Sequence, residues 1–223
     1  MKAVLFDLDG TLVDSNEAHV EVWDRVFRAA GQPVPRDAIR GQIGKGGDQL
    51  VPALLPGTPE DEVERLSELH GELFKAEWLD RIRPFPQARA LLERVRAGGA
   101  KVVLASSASK AELDHYVALL DAKALVDAGT SIDDVETSKP APDIFGTALK
   151  KAGVTADEAV AVGDTPYDID AAGKAGVGTV ALRSGGFSDD ALAEAVAIYD
   201  DTAALLAGFD ASPLAGRLRD SRT

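Results

Sequence analysis

Near the start of the chain an apolar run closes on two carboxylates, Phe6-Asp7-Leu8-Asp9-Gly10-Thr11. Spaced i, i+2, Asp7 and Asp9 point to one side if the strand continues through them. Gly10 then lets the backbone turn sharply. In open α/β sheets ligands bind beyond the carboxyl ends of strands, where these acids would lie. An Asp-Gly turn is the ordinary structural use of the same residues. A second apolar run, Val160-Ala161-Val162-Gly163, also ends in acids, Asp164 and Asp168. Pro166 suits the first turn of a following helix, so capping by Asp164 or Thr165 is the structural alternative. An EF-hand does not fit, because Pro166 would fill a ligand position and the required Gly and Glu are missing. A third run, Val102-Val103-Leu104-Ala105, ends in Ser106 and Ser107. Capping of the next helix accounts for Ser107 and Ser109 on structural grounds. Lys139 stands in Ser138-Lys139-Pro140-Ala141-Pro142-Asp143, where the prolines fix a turn and start a helix. Several strand ends that deliver hard oxygens without His or Cys, beside one ammonium, suit Mg²⁺ and a substrate phosphate.

The elements that must position these groups read as alternating strands and helices. Near-continuous apolar runs at 3–8, 101–105, 159–162 and 179–182 suit strands buried on both faces of a parallel sheet, with shorter candidates at 125–126 and 197–199. Helical stripes lie between them, at Ala88, Leu91, Leu92 and Val95 and at Leu113, Val117 and Leu120. Gly153 and Gly176 stand where helix-ending glycines belong. This order predicts an α/β fold with a doubly wound parallel sheet. One interval breaks the rhythm. Over ninety residues separate the first strand from the second, whereas a βαβ unit takes about 30. The surplus carries helical spacing of its own, at Val20, Trp23, Phe27 and Ala30 and at Val63, Leu66, His70, Leu73 and Trp78. The expected organisation is therefore a core of residues 1–14 and 84–209, an inserted helical domain of 15–83, and a loose polar tail of 210–223.

The chain of 223 residues has 37 acidic and 24 basic side chains, a net charge of −13, and no cysteine. Disulfides, thiolate metal sites and Cys nucleophiles are excluded. The acidity argues against general nucleic-acid binding, which needs Lys and Arg to displace counterions. No apolar run approaches the roughly 18 residues of a membrane span. Asp7 and Asp9 interrupt the N-terminal apolar stretch too early for a signal peptide, so a soluble, cytoplasmic protein is expected.

Asp7-Leu8-Asp9-Gly10-Thr11, Ser106, Lys139-Pro140 and Gly163-Asp164 with Asp168, in that order, resemble the four motifs of the haloacid dehalogenase superfamily. The insertion after the first motif resembles the C1 helical cap of its phosphoglycolate phosphatase and β-phosphoglucomutase-like branch. The resemblance implies a Rossmann-like core and a Mg²⁺-dependent phosphatase acting on a small phosphorylated metabolite. By it, Asp7 is the nucleophile and Asp9 the acid and base for leaving group and water. Asp7, the Asp9 main-chain carbonyl and Asp164 hold the metal, with Asp168 doing so directly or through water, Ser106 donates to the phosphoryl group, and Lys139 bridges Asp7 and the phosphate. Thr11, Ser107, His19, Lys45, Gly46 and Gly47 are the expected substrate contacts. Like-charge neighbours are expected to raise the Asp9 pKa.

Relatives with other activities differ at identifiable residues. Haloacid dehalogenases proper and phosphonoacetaldehyde hydrolases lack the second Asp, so Asp9 argues against both, although Lys45 would otherwise be a candidate cap lysine. The β-phosphoglucomutase reading is the alternative. His19 and Trp23 match positions found there, but Gly46 stands where its cap arginine would align, unless Lys45 or Lys75 substitutes. The segment 41–47 is no P-loop and reads as a cap loop that meets the substrate. Receiver domains gather similar groups around Mg²⁺ but need about half this length and carry no cap.

Overall fold

The computed structural model describes residues 1–215. After β1 (Ala3–Phe6) come a short β2 (Val13–Asp14) and four helices: α1 (Asn16–Ala29), α2 (Arg36–Arg40), α3 (Gly47–Leu54) and α4 (Glu60–Glu77). β3 (Arg83–Pro84) pairs antiparallel with β2, so the helices are inserted between two paired strands. Alternation then begins with α5 (Ala88–Ala97), β4 (Lys101–Ala105), α6 (Lys110–Leu119), β5 (Val126–Thr130) and α7 (Asp143–Ala152). It ends with β6 (Ala159–Gly163), α8 (Pro166–Lys174), β7 (Gly178–Leu182), β8 (Ala197–Tyr199) and α9 (Thr202–Ala207).

Six strands form one parallel sheet in the order β5-β4-β1-β6-β7-β8. The chain winds outward in both directions from β1, so the crevice at its carboxyl end is the switch point where such sheets bind ligands. All four residues of β1 are fully buried. Their side chains alternate between two layers, as the strand period requires. Val4 and Phe6 join the cluster with Leu91, Val95 and Tyr116, while Ala3 and Leu5 meet Ile144, Phe145 and Ala171. The first cluster runs on into the insertion through Trp23, Phe27, Leu66 and Phe74. Among the described residues no helix is long and apolar enough to cross a membrane.

Three expectations are corrected. β1 stops at Phe6 rather than at residue 8. The strand expected at 125–126 instead spans Val126–Thr130. Its pairing shifts register opposite Val102 and Val103, where the Asp127 carboxylate accepts the Val102 N–H at 2.9 Å. A polar residue that replaces a ladder bond hides the strand from an apolar pattern. The supposed loose tail is packed where it is described. Ser212 and Leu214 are buried, and Leu214 lies in the main apolar cluster. Residues 216–223 lie outside the described residues.

Aromatic rings stack inside the insertion. Trp23 lies 4.3 Å from His70 at an interplanar angle of 13°, and Phe74 lies 3.9 Å from His19 at 9°. Burial, with the neighbouring His19, holds the His70 imidazole well below its usual range. Below pH ~6.5 the unfolded chain therefore takes up a proton that folded His70 refuses, and stability falls with pH. In urea unfolding between pH 7.5 and 5.5, wild type loses more stability than His70→Phe, by about 1 kcal/mol over the whole range. Parallel pH dependences for the two proteins would contradict this assignment.

Candidate active site

The strand ends deliver their polar groups to one crevice. Asp7 follows β1 directly, its N–H donates to Val162 O at 2.9 Å, and the residue is only 3% exposed. The chain then turns at Gly10, which has φ +75°. A Cβ there would lie 2.1 Å from Asp164 Oδ2, so only glycine fits. Thr11 Oγ donates to Asp164 Oδ1 at 2.7 Å and Asn16 Nδ2 to Asp164 Oδ2 at 3.0 Å. Asp168 sits in the first turn of α8. Its Oδ2 accepts from Thr165 Oγ at 2.7 Å and from Thr165 N–H at 3.1 Å, a capping box that pins the carboxylate.

Lys139 ties the set together. It is 1% exposed, and its Nζ lies 2.5 Å from Asp7 Oδ1 and 2.7 Å from Asp168 Oδ1. Burial opposes its charge, but the Asp168 and Asp7 carboxylates outweigh it and push the ammonium's pKa up. Asp7, Asp164 and Asp168 each offer one oxygen within 4.8 Å of the others, and all three are buried. One ammonium does not balance three carboxylates. Burial and neighbouring acids therefore push Asp7 up to about 7, against Lys139, and Asp164 well above its usual range. Hard oxygens within one ion's reach, carrying uncompensated charge, fit a divalent cation of the Mg²⁺ type.

The Asp9 expectation is corrected. Because the strand ends at Phe6, Asp9 lies in the turn, and its carboxylate is not part of the acidic cluster. Its Oδ1 instead accepts from Ser15 Oγ at 2.5 Å and faces His19 Nε2 at 3.2 Å. Burial raises the Asp9 pKa, but the His19 and Ser15 hydrogen bonds outweigh it and the net direction is down. His19 Nδ1 in turn lies 3.3 Å from His70 Nε2.

A cavity of about 660 Å³ opens between these groups and the helical insertion. From the core it is lined by Asp7, Asp9, Ser106 and Ser107, and from the insertion by His19, Lys45, Gly46 and Gly47. Ser106 is buried, with its N–H on Thr130 O at 3.0 Å and its Oγ accepting from Ala108 N–H at 3.0 Å. Ser109 caps α6 in a box with Glu112. Ser107 does not cap; its buried hydroxyl has no hydrogen-bond partner. Lys45 Nζ donates to Gln42 Oε1 at 2.6 Å and lies 4.4 Å from the Tyr167 ring centre, and burial holds its pKa down. Thr11, expected to touch substrate, is instead fully buried with its hydroxyl on Asp164 and does not line the cavity.

Of the two capping candidates before Pro166, Thr165 is the cap, and its Thr-x-x-Asp spacing to Asp168 is that of a capping box. Other positioning residues escaped the sequence reading. Asn16, Ser15 and His70 carry no such signal, because their partners are distant in sequence or lie across a turn.

The sequence profile of the family described as haloacid dehalogenase-like hydrolase matches residues 1–176. A phosphorylated carbohydrates phosphatase of Thermotoga maritima is 28% identical over 178 residues, 79% of this chain and 82% of that protein. A phosphoglycolate phosphatase of Rhodospirillum rubrum is 30% identical over 218 residues, 92% of this chain and 89% of that one. The crystal structure of a hydrolase from Pseudomonas syringae superimposes with a TM-score of 0.88 at 31% identity, covering 95% of this chain and 99% of that one. With a family match over most of its length and the expected motifs in one crevice, the chain belongs to the haloacid dehalogenase-like hydrolases.

Proposed function

We propose that the protein is a Mg²⁺-dependent phosphatase that hydrolyses a small phosphate monoester through an aspartyl-phosphate on Asp7. The observation that carries this reading is the buried Asp7 carboxylate at the end of the central strand. One of its oxygens is held by Lys139, its acidic neighbours suit a cation, and the residue lines the cavity. The relatives named as phosphatases support the reaction class. The cavity, about 660 Å³, suits a glycolate- or sugar-sized leaving group with residues 15–83 as its cap.

Each residue then has a definable task. Asp7 Oδ2, the oxygen that Lys139 does not hold, forms the bond to phosphorus while the bond to the leaving oxygen breaks. Asp9 passes a proton to that oxygen. Ser15 and His19 hold the Asp9 carboxylate in place in the turn, beside the cavity that the leaving group would occupy. Asp9 next takes a proton from the water that attacks phosphorus, and the Asp7–phosphate bond breaks. Ser106 and Lys139 donate to the phosphoryl oxygens. Mg²⁺ held by Asp7, Asp164, Asp168 and the Asp9 main-chain carbonyl supplies the positive charge that the transferring group and the buried acids require. The mutase alternative is less supported: Gly46 offers no side chain for a second phosphate, and Lys45 is engaged with Gln42 and Tyr167.

Asp7→Asn should lower Mg²⁺-dependent release of phosphate from p-nitrophenyl phosphate by about 10³-fold or more. Turnover equal to wild type would refute the nucleophile. The metal assignment has a pH signature. Without metal, Asp7 binds a proton up to about pH 7 that the unfolded chain releases near its ordinary value, so the stability this contributes is lost as pH rises through 7. A cation that replaces the proton removes that loss. The increase in Tm on adding Mg²⁺ should therefore be larger at pH 8 than at pH 5.5. An increase independent of pH would contradict a metal bound by these carboxylates.

A further inference from the structure

The loop that leads into α3 rests on the core at two points, and each lies beside a residue of the acidic cluster. At the first point Gly44, with φ +104°, passes Thr165 so closely that a Cβ would lie 2.6 Å from its Cγ2. Thr165 is the residue that pins the Asp168 carboxylate. At the second point a Cβ on Gly46 would lie 2.7 Å from Ser138, the neighbour of Lys139. Here the contact is also polar in both directions. Gly46 N–H donates to Ser138 Oγ at 2.9 Å, and Ser138 N–H donates to Asp48 Oδ2 at 3.0 Å. Ser138 is fully buried, and its Oγ also lies 3.3 Å from the Lys139 carbonyl oxygen, to which it donates.

We propose that Asp48, acting through the Ser138 main chain, is a positioning residue for Lys139. The claim rests on the reading of Lys139 as the group that bridges Asp7 and the phosphate. The physical argument is one of tolerance. Lys139 must keep its ammonium 2.5 Å from Asp7 and 2.7 Å from Asp168, and displacements of about 1 Å can change rates up to 100-fold. Its backbone lies in a loop, which is the least constrained place to anchor such a group. The turn's own bond, Ala141 N–H to Ser138 O at 3.0 Å, shapes it, and Asp48 adds a constraint from the helical insertion, 90 residues away in sequence. The sequence reading took the loop 41–47 only as a substrate contact. The structure adds that loop and Asp48 together hold one of the groups that does the chemistry. Only when this loop rests on the core is the Ser138 N–H paired by Asp48, so catalytic alignment is tied to the cap being in place.

The test compares Asp48→Ala and Asp48→Asn in the full chain with p-nitrophenyl phosphate and Mg²⁺. Asp48→Ala should lower kcat about tenfold or more while KM changes less than about twofold. Asp48→Asn keeps an acceptor for the Ser138 N–H, and no group donates to the oxygen it replaces. It should therefore recover most of kcat, which a loss of folding or of general charge would not allow. The same change in a Lys139→Arg background separates this mechanism from others. If Asp48 acts through Lys139, the effect of Asp48→Ala shrinks there; an undiminished effect overturns the proposal. Equal kcat for Asp48→Ala and wild type also overturns it while leaving the phosphatase reading intact. If wild type itself fails to turn over, both fall. Should Asp48→Ala not fold, Gly46→Ala presses on Ser138 from the same side, and an unchanged kcat in that variant overturns the proposal.

Discussion

Three carboxylates and one ammonium are enclosed together at the carboxyl end of a sheet whose central strand is wholly buried. Water cannot screen them there, and a single lysine leaves the set short of positive charge. Either protons or a cation must supply the difference. This shortage, with burial, is what pushes the Asp7 and Asp164 pKa values up, and it is why a divalent ion suits the site. It also explains the surrounding donors. Thr11, Asn16 and Thr165 each hand a hydrogen bond to one of the acids and fix which oxygens are left for an ion. The same enclosure is what the proposed role of Asp7 as nucleophile would use once its charge is restored, since a carboxylate largely removed from water is less solvated.

Much of this arrangement could be read from the chain. Parallel strands buried on both faces leave near-continuous apolar runs, so each polar residue that ends a run stands out. That is why Asp7, Ser106, Asp164 and Asp168 were visible as a set, and why the doubly wound sheet was too. Lys139 sits in a loop and was visible only through its prolines and the family resemblance. What failed did so for local reasons. The pairing of Asp7 with Asp9 assumed a strand two residues longer than the one that forms, and in the turn Asp9 faces Ser15 and His19 instead. Ser107 and Ser109 are alike in sequence, yet only Ser109 caps α6. β5 was misplaced because Asp127 replaces a ladder bond, and residues 210–215 were misjudged because Leu214 is a single large apolar side chain amid small and polar ones.

Sequence distance hid the remaining interactions. Asn16 reaches Asp164 and Asp48 reaches Ser138 across separations that no local pattern encodes. Both run between the helical insertion and the core. The insertion therefore does more than roof the cavity: His19 engages the Asp9 carboxylate, and the loop before α3 lies against the neighbours of Lys139 and Asp168.

The central claim is that Asp7 carries the phosphoryl group between substrate and water. The most direct measurement is acid quenching of the working enzyme on substrate bearing radiolabelled phosphate, followed by peptide mapping. The account predicts a transient label, stable to acid and lost in base, on the peptide containing Asp7. Product that forms at full rate while no label reaches the protein at any time would contradict it.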